Sequence, residues 1–390
     1  MMGLVETKLR RSPSSNICLV RERACLLSHS TYFNIGKIMA TFLQLTNRIL
    51  NELNEPELTS SNFSSSRGIQ TVAKNMVNKS IHDIYNSEVQ WPFLHSDQTD
   101  ALTAGTQEYG FQSDARQANM NTFVLIPSNL ITNGTFTSNI TSWSTTSGSP
   151  ANASERLRLN NAGAEQSIST VVNKEYVLRC RTFGGDITLN IGTSSGGTQI
   201  STQTLSISNL GDGEFHTVNF TATTTSTFIG FSNSDSDNYD VDNVEVSENL
   251  SPRKLVFLSY NEWLDKFSDR DLNPTDTDQF GIPYYVYETF DDKYGLTPIP
   301  DRGTLSVRYE YYKTHTDLSA HGDSPDLPSR YDDVIVNRGK YYCHILRANV
   351  PAAQLSEKDY KEGLARMRIE LINTKDYIYP AGMRLYNTTP

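Results

Sequence analysis

Seven histidines, four cysteines and one glycine-rich run are where this 390-residue chain would be expected to do chemistry. No two histidines have the HExxH spacing that places a pair of imidazoles one helical turn apart around a catalytic metal. The run GTSSGG at residues 192–197 follows a strand pattern, but it lacks the lysine of a phosphate-binding loop and reads as a turn between strands. The adjacent Asp291 and Asp292 offer two carboxylates, yet neighbouring acids on a turn read as plain surface rather than as an acid–base pair. Cys18, Cys25, Cys180 and Cys343 form no CxxC pair and read as reduced thiols, neither a disulfide framework nor a zinc site. The chain therefore reads as a non-enzyme that requires no cofactor.

Bulk properties narrow the class further. The composition is 37% hydrophobic and 20% charged, ordinary for a folded chain of two or three domains. There is no uninterrupted apolar run of 18 residues, so no bilayer span is expected. The net charge of -10 argues against coating nucleic acid, because that binding needs Lys and Arg to neutralise phosphates.

Four segments follow from the patterning. Residues 1–38 read as a translated leader before Met39, or as a disordered arm that docks on a partner. Residues 39–127 open with two helices. Thr41 and Gln44 make a capping box, Phe42, Leu45, Ile49 and Leu53 keep the helical period, and Pro56 is the expected stop. The serines between 60 and 66 are expected to cap the second helix, whose apolar face is Ile69, Val72, Ala73, Met76, Val77, Ile81 and Ile84. Residues 128–249 change to Ser, Thr, Asn and Gly, with strands expected at 176–182, 186–192, 203–207, 216–222, 227–232 and 240–246. That spacing predicts a β-sandwich. This segment has five Lys and Arg against twelve Asp and Glu, so it holds most of the chain's negative charge. Residues 250–390 return to the first style. Strands are expected at 254–260, 284–290 and 304–312. Two helices follow, one capped by Ser329 with Asp332 and carrying Tyr331, Val334, Ile335, Tyr342, Ile345 and Leu346. The other is capped by Ser356, with Leu355 and Tyr360 as its hydrophobic staple. The expected architecture is α+β, a four-helix core with a small β part, interrupted by an all-β insert.

The outer segments resemble the head-to-tail adaptor proteins of short-tailed phages, the group of tail tubular protein A. The resemblance rests on LTNRILNEL at 45–53, Trp91 and Pro92, LTPIP at 296–300, the Tyr309–Tyr312 strand and PDLPSR at 325–330. It implies a structural virion protein of the phage neck, assembled in the host cytoplasm as a ring, expected to be twelvefold, between the portal ring and the tail nozzle or tail fibres. DNA would pass through without specific binding. Tyr331, Tyr341, Tyr342, Met383 and Leu385 are the candidate interface residues, since aromatic and Met side chains are favoured at interfaces.

The insert resembles the jelly-roll carbohydrate-binding modules found beside glycoside hydrolases. The residues that carry this are NLITNGTF at 129–136 with Trp143, GEFHTVNFTA at 213–222 and DVDNVEV at 240–246. Phe136, Trp143, Phe215, Phe220, Phe228 and Phe231 are expected in its core. Tyr176, Phe183 and Tyr239 are the candidate ligand-stacking residues, which makes a glycan-binding adhesion protein the alternative reading. The resemblance also implies a structural calcium, with Asp242 and backbone oxygens near Gly134 and Thr135 as its counterpart here, or the acidic cluster Asp235, Asp237 and Asp240 instead.

Overall fold

The computed structural model describes residues 39–208, 213–271 and 279–372. The class is α+β, with five α-helices among the described residues and a β part that is jelly-roll-like. Helix α1 (Phe42–Glu52) starts as the capping box requires: the Gln44 amide donates to Thr41 Oγ1 at 3.2 Å, and the Thr41 amide donates to Gln44 Oε1 at 2.9 Å. It ends before Pro56, because Asn54 takes a φ of 54° and turns the chain out of the helix. Helix α2 (Ile69–Ser87) has Gly68 as its cap, at a φ of 58° that favours glycine, and no side-chain cap bond. The serines expected to cap it lie too far upstream. Ser66 instead accepts from Thr71 Oγ1 through its carbonyl, at 2.8 Å.

Helix α3 (Tyr260–Asp271) replaces the last part of an expected strand. Ser259 and Glu262 form the reciprocal cap. The Ser259 amide and hydroxyl both donate to Glu262 Oε2, at 2.9 and 2.8 Å. Helix α4 (Asp332–Leu346) follows a single 3-10 turn and has no side-chain cap, so Ser329 does not do what its position suggests. Asp332 and Asp333 in its first turn supply the favourable charge for a helix N-terminus instead. Helix α5 (Val350–Leu371) begins six residues before Ser356, with Asn349 accepting from the Ala352 amide and Pro351 in the first turn. Ser356 is buried inside that helix and Leu355 is exposed, which removes the expected staple. Helices α1, α2, α4 and α5 contribute Leu45, Ile49, Val77, Ile81, Ile335, Leu364 and Met367 to one buried cluster around Trp91. Fully burying each such side chain is worth about 1.5–3 kcal/mol.

Two small sheets pack beside this cluster. One runs in the order His95–Ala101, Leu305–Lys313, Val124–Pro127 and Arg253–Lys254, with Ala115–Ala118 also paired to Leu305–Lys313. The other runs Val256–Leu258, Tyr285–Glu288, Lys293–Thr297 and Glu108–Gly110. Tyr294, Tyr309 and Phe123 fill the core they share, with Phe123 and Tyr309 stacked at 4.8 Å and the Tyr294 hydroxyl donating to Asp100 at 2.8 Å.

Residues 128–249 form two antiparallel five-stranded sheets, in which six strands fall on the stretches expected from the sequence and four, Ser144–Ser147, Ala151–Asn152, Leu157–Leu159 and Ala162–Ser169, do not. One is ordered Ser201–Leu205, Ile187–Gly192, Ser226–Asn233, Ala162–Ser169 and Ser144–Ser147. The other is ordered Glu214–Thr221, Glu175–Phe183, Tyr239–Glu248, Leu157–Leu159 and Ala151–Asn152. Phe136, Trp143, Phe220 and Phe231 are buried between them, while Phe228 is half-buried. Phe215 corrects the sequence reading, since it is 71% exposed. It stands opposite Arg181 in register, on the outward side of its strand.

Candidate docking surface

The exposed surface of this fold is polar in most places, and the α4–α5 hairpin is an exception. The turn is tight: Ala348 takes a φ of 55°, its amide donates to the Ile345 carbonyl at 3.0 Å, and the Asn349 amide donates to the His344 carbonyl at 2.9 Å. Arg347 fastens the turn from beneath, donating to the Leu53 carbonyl at 3.0 Å and pairing with Glu55. The side chains that project from this pinned backbone are Ile345, Leu346, Val350 and Leu355, with Leu346 and Leu355 at 64% and 62% exposure. A helical period read from sequence puts Ile345 and Leu346 on the buried stripe of α4. The stripe turns away because Gly339 and Cys343 take the buried positions instead, with Gly339 close against Ile49. Four large apolar side chains exposed within one eleven-residue stretch, 345–355, mark a candidate contact site.

The tyrosines singled out in the sequence lie behind this tip. Tyr341 and Tyr342 are half-buried around Arg338, whose guanidinium lies 4.9 and 4.7 Å from their ring centres and 4.8 Å from that of Tyr360. Asp83 of α2 holds the group together, accepting from Arg338 Nε at 2.6 Å and from the Tyr342 hydroxyl. Burial, and then the bond to Asp83, push the Tyr342 hydroxyl up to about 12. Both rings therefore brace α2, α4 and α5 against one another. Tyr331 is buried and donates to Glu370. Met383 and Leu385 lie outside the described residues.

In the insert, the three ligand candidates do not share a face. Tyr176 is fully buried, stacked on Phe220 at 5.6 Å, and its hydroxyl accepts from the Val171 amide. That burial leaves no free ring face for a ligand. Phe183 is seven positions further along the same strand, so it points to the opposite side. Its ring is covered by the Arg156 guanidinium at 3.6 Å. Tyr239 is half-buried and donates to Asp235 at 3.1 Å.

A calcium ion needs six to eight oxygens. Asp242 brings one carboxylate, and Oδ1 accepts from the Asn243 amide at 2.7 Å. The Gly134 carbonyl accepts from the Val244 amide at 2.9 Å, and Thr135 Oγ1 meets Thr137 Oγ1 at 3.2 Å. In the second acidic cluster, Asp240 is held by Arg158 through two bonds of 2.8 and 3.0 Å. Among the described residues no group of three or more His, Cys, Asp and Glu could hold a metal ion.

The glycine-rich run also spells G-x-S-x-G at residues 192–196. It connects two antiparallel strands rather than a strand and a helix. Ser194 Oγ accepts from Gln199 at 3.4 Å, and the Gly196 amide donates to the buried Glu165 at 2.8 Å. This is a tied turn without the exposed elbow of a hydrolase. Cys180 and Cys343 are buried, and burial pushes the Cys180 thiol up to about 12. Among the described residues, no helix is long and apolar enough to cross a membrane.

Comparison with known proteins gives two kinds of match. No curated protein matches the chain. Among solved structures, a CBM4 structure is similar at 16% identity over 30% of this chain and 99% of its own, with a TM-score of 0.27. The N-terminal cellulose-binding domain from Cellulomonas fimi β-1,4-glucanase C is similar at 16% identity over 34% and 100%, with a TM-score of 0.23. The enzymatically active domain of bacteriophage CBA120 tailspike protein 4 is similar at 15% identity over 31% and 21%, with a TM-score of 0.24. Residues 199–384, from the later strands of the insert through α5, match the family model of the SU10 adaptor protein.

Proposed function

We propose that this chain is a non-enzymatic structural adaptor of a tailed-phage particle, which joins the portal ring to the tail as a ring of copies. The observation that carries the reading is the apolar tip Ile345, Leu346, Val350 and Leu355, which lies on α4 and α5 inside the segment that matches the adaptor family, with α1 and α2 packed behind it from outside that segment. The tip inserts into an apolar socket of the portal, and the four-helix core keeps it rigid. A preorganised apolar contact binds well because little conformational freedom is lost on docking. The β part and the insert face away, toward tail components. DNA passes through the ring without sequence-specific contact, in keeping with the chain's net charge of -10.

The test is co-sedimentation of the purified chain with its portal, followed by negative-stain microscopy. The wild-type chain is expected to cap the portal as a ring. Leu346→Asp and Leu355→Asp are expected to abolish capping while leaving the melting temperature nearly unchanged, since both side chains are exposed. Undiminished capping by both variants would remove the tip from the interface. A wild-type chain that ignores the portal would overturn the adaptor reading.

A further inference from the structure

The four-stranded sheet has two open edges, and they differ. One is the strand Val256–Leu258, parallel to Tyr285–Glu288. The other is Glu108–Gly110, antiparallel to Lys293–Thr297. Both are three residues long and both end the sheet. On the first edge the Val256 amide donates inward to the Tyr284 carbonyl at 3.0 Å. Backbone groups alternate sides along a strand, so the amide and carbonyl of Phe257 point away from the sheet. On the second edge the Phe111 amide donates inward to Asp292, and the Gln107 carbonyl accepts from the Leu296 amide. The backbone groups of Glu108 and Gly110 therefore face outward.

An open edge of this kind is a template for another strand unless the chain blunts it. Just before this edge the Leu255 amide donates to the Phe123 carbonyl at 2.8 Å, so the open stretch begins after it, and Val256–Leu258 itself holds no proline and no charge. It is apolar instead, with Val256 42% and Phe257 37% exposed beside the exposed Tyr284. Its flank carries the exposed Lys254, with Arg253 held by the Ile282 and Pro283 carbonyls, while the opposite edge carries the exposed Asp291 and Asp292 beside Glu108, which pairs with Lys293 at 3.5 Å. Like edges would bring Lys254 against Lys254, whereas unlike edges bring it toward the acidic turn of Asp291 and Asp292.

We infer that the Val256–Leu258 edge of one copy pairs with the Glu108–Gly110 edge of the next, so that the sheet continues from copy to copy. A contact between two different edges is heterologous, and repetition of it closes a ring or extends a filament. The inference deepens the adaptor reading by naming the contact between copies. The apolar tip is left for the unlike partner.

Val256→Cys combined with Glu108→Cys in the full chain tests it, with mild oxidation of portal-bound assemblies and non-reducing electrophoresis. Head-to-tail pairing gives a ladder of covalent multimers, and each single variant stays monomeric. Dimers from Val256→Cys alone would overturn the inference in favour of like edges meeting, and no ladder from portal-bound rings would overturn it outright. Phe257→Pro is the second arm. It removes the outward amide and spares the inward bond of Val256, and edge strands tolerate proline. Lateral multimers seen by mass photometry are expected to fall at least tenfold, while single copies still sediment with the portal. Multimers at wild-type level in this variant would sink the inference. Loss of portal sedimentation by the wild-type chain is a separate readout, which bears on the adaptor reading alone.

Discussion

The Glu248 carboxylate, at the end of the insert's closing strand, accepts from Arg302 Nη1 at 3.1 Å and from Thr304 Oγ1 at 2.7 Å. Arg302 lies in the turn before the strand Leu305–Lys313, where it also pairs with the more exposed Asp301 at 3.0 Å, and the side chains of Glu248 and Arg302 are both under 10% exposed. Ser128 and Ser306 add a hydroxyl contact of 2.6 Å at the same joint. The insert is thus tied to the host by a buried ion pair as well as by two peptide connections.

Removing one partner of a buried pair leaves an unpaired charge out of water, which typically costs about 3–5 kcal/mol. Arg302→Ala is expected to lose stability on that order in calorimetry. Replacing both partners together, Glu248→Leu with Arg302→Met, is expected to recover most of the loss, because two apolar groups of similar volume leave no charge to desolvate. A double variant as unstable as the single one would show that Glu248 is not the group Arg302 serves.

The caps separate helix starts that look alike in the sequence. Thr41→Ala removes a side-chain acceptor that the Gln44 amide uses, and is expected to cost about 1 kcal/mol. Ser329→Ala removes a hydroxyl that makes no cap bond, and is expected to stay within about 0.5 kcal/mol of wild type. Urea denaturation of the two variants side by side checks both values.

This contrast shows what the sequence made legible. Where a cap and a helical period agree, as at Thr41 with Leu45 and Ile49, the helix is found in place. Regularly spaced turns mark six of the ten strands of the insert, while the four between residues 144 and 169 carry no such spacing. The start of α5 was misplaced because Ser356 resembles a cap, while Asn349 and Pro351 supply the actual one. Helix α3 was missed although Ser259 and Glu262 spell the Ser-x-x-Glu box, since the apolar run before it reads as strand. The docking tip was hidden for a related reason. Ile345 and Leu346 satisfy the period of α4, and only tertiary packing decides that the helix has run past its partners there. Tyr176 illustrates the converse, as an aromatic in a sugar-binding-like module that belongs to the core.

Calcium is expected to leave the fold unaffected. Gly134 packs so closely that a Cβ there would lie 2.1 Å from the Val244 carbonyl oxygen, so Gly134→Ala is expected to destabilise by about 1–3 kcal/mol through crowding alone. Asp242→Asn, which keeps an oxygen for the Asn243 amide, is expected to be nearly neutral. Melting temperatures of the full chain and both variants, with calcium and with a chelator, check this. A calcium-dependent rise that Asp242→Asn abolishes would assign the ion to the insert.

Acid is expected to loosen the helical cluster through His315. Its ring is buried against Tyr85, 4.9 Å between centres, and against His82 at 5.6 Å. Burial pushes its pKa below the ordinary histidine value, an effect that nearby His82 reinforces and that Asp317 and Asp326 oppose. With the folded value depressed, the unfolded chain takes up the proton first as pH falls. The stability from a neutral His315 is therefore complete above the ordinary value of about 6.5 and is lost below it, by at most about 1.4 kcal/mol per pH unit for one proton. His315→Gln keeps a polar side chain but cannot titrate, so its stability is expected to fall less steeply between pH 7 and 5. Denaturant midpoints measured across that range in both proteins decide the matter. Parallel slopes would mean that the acid sensitivity of the fold resides in other groups.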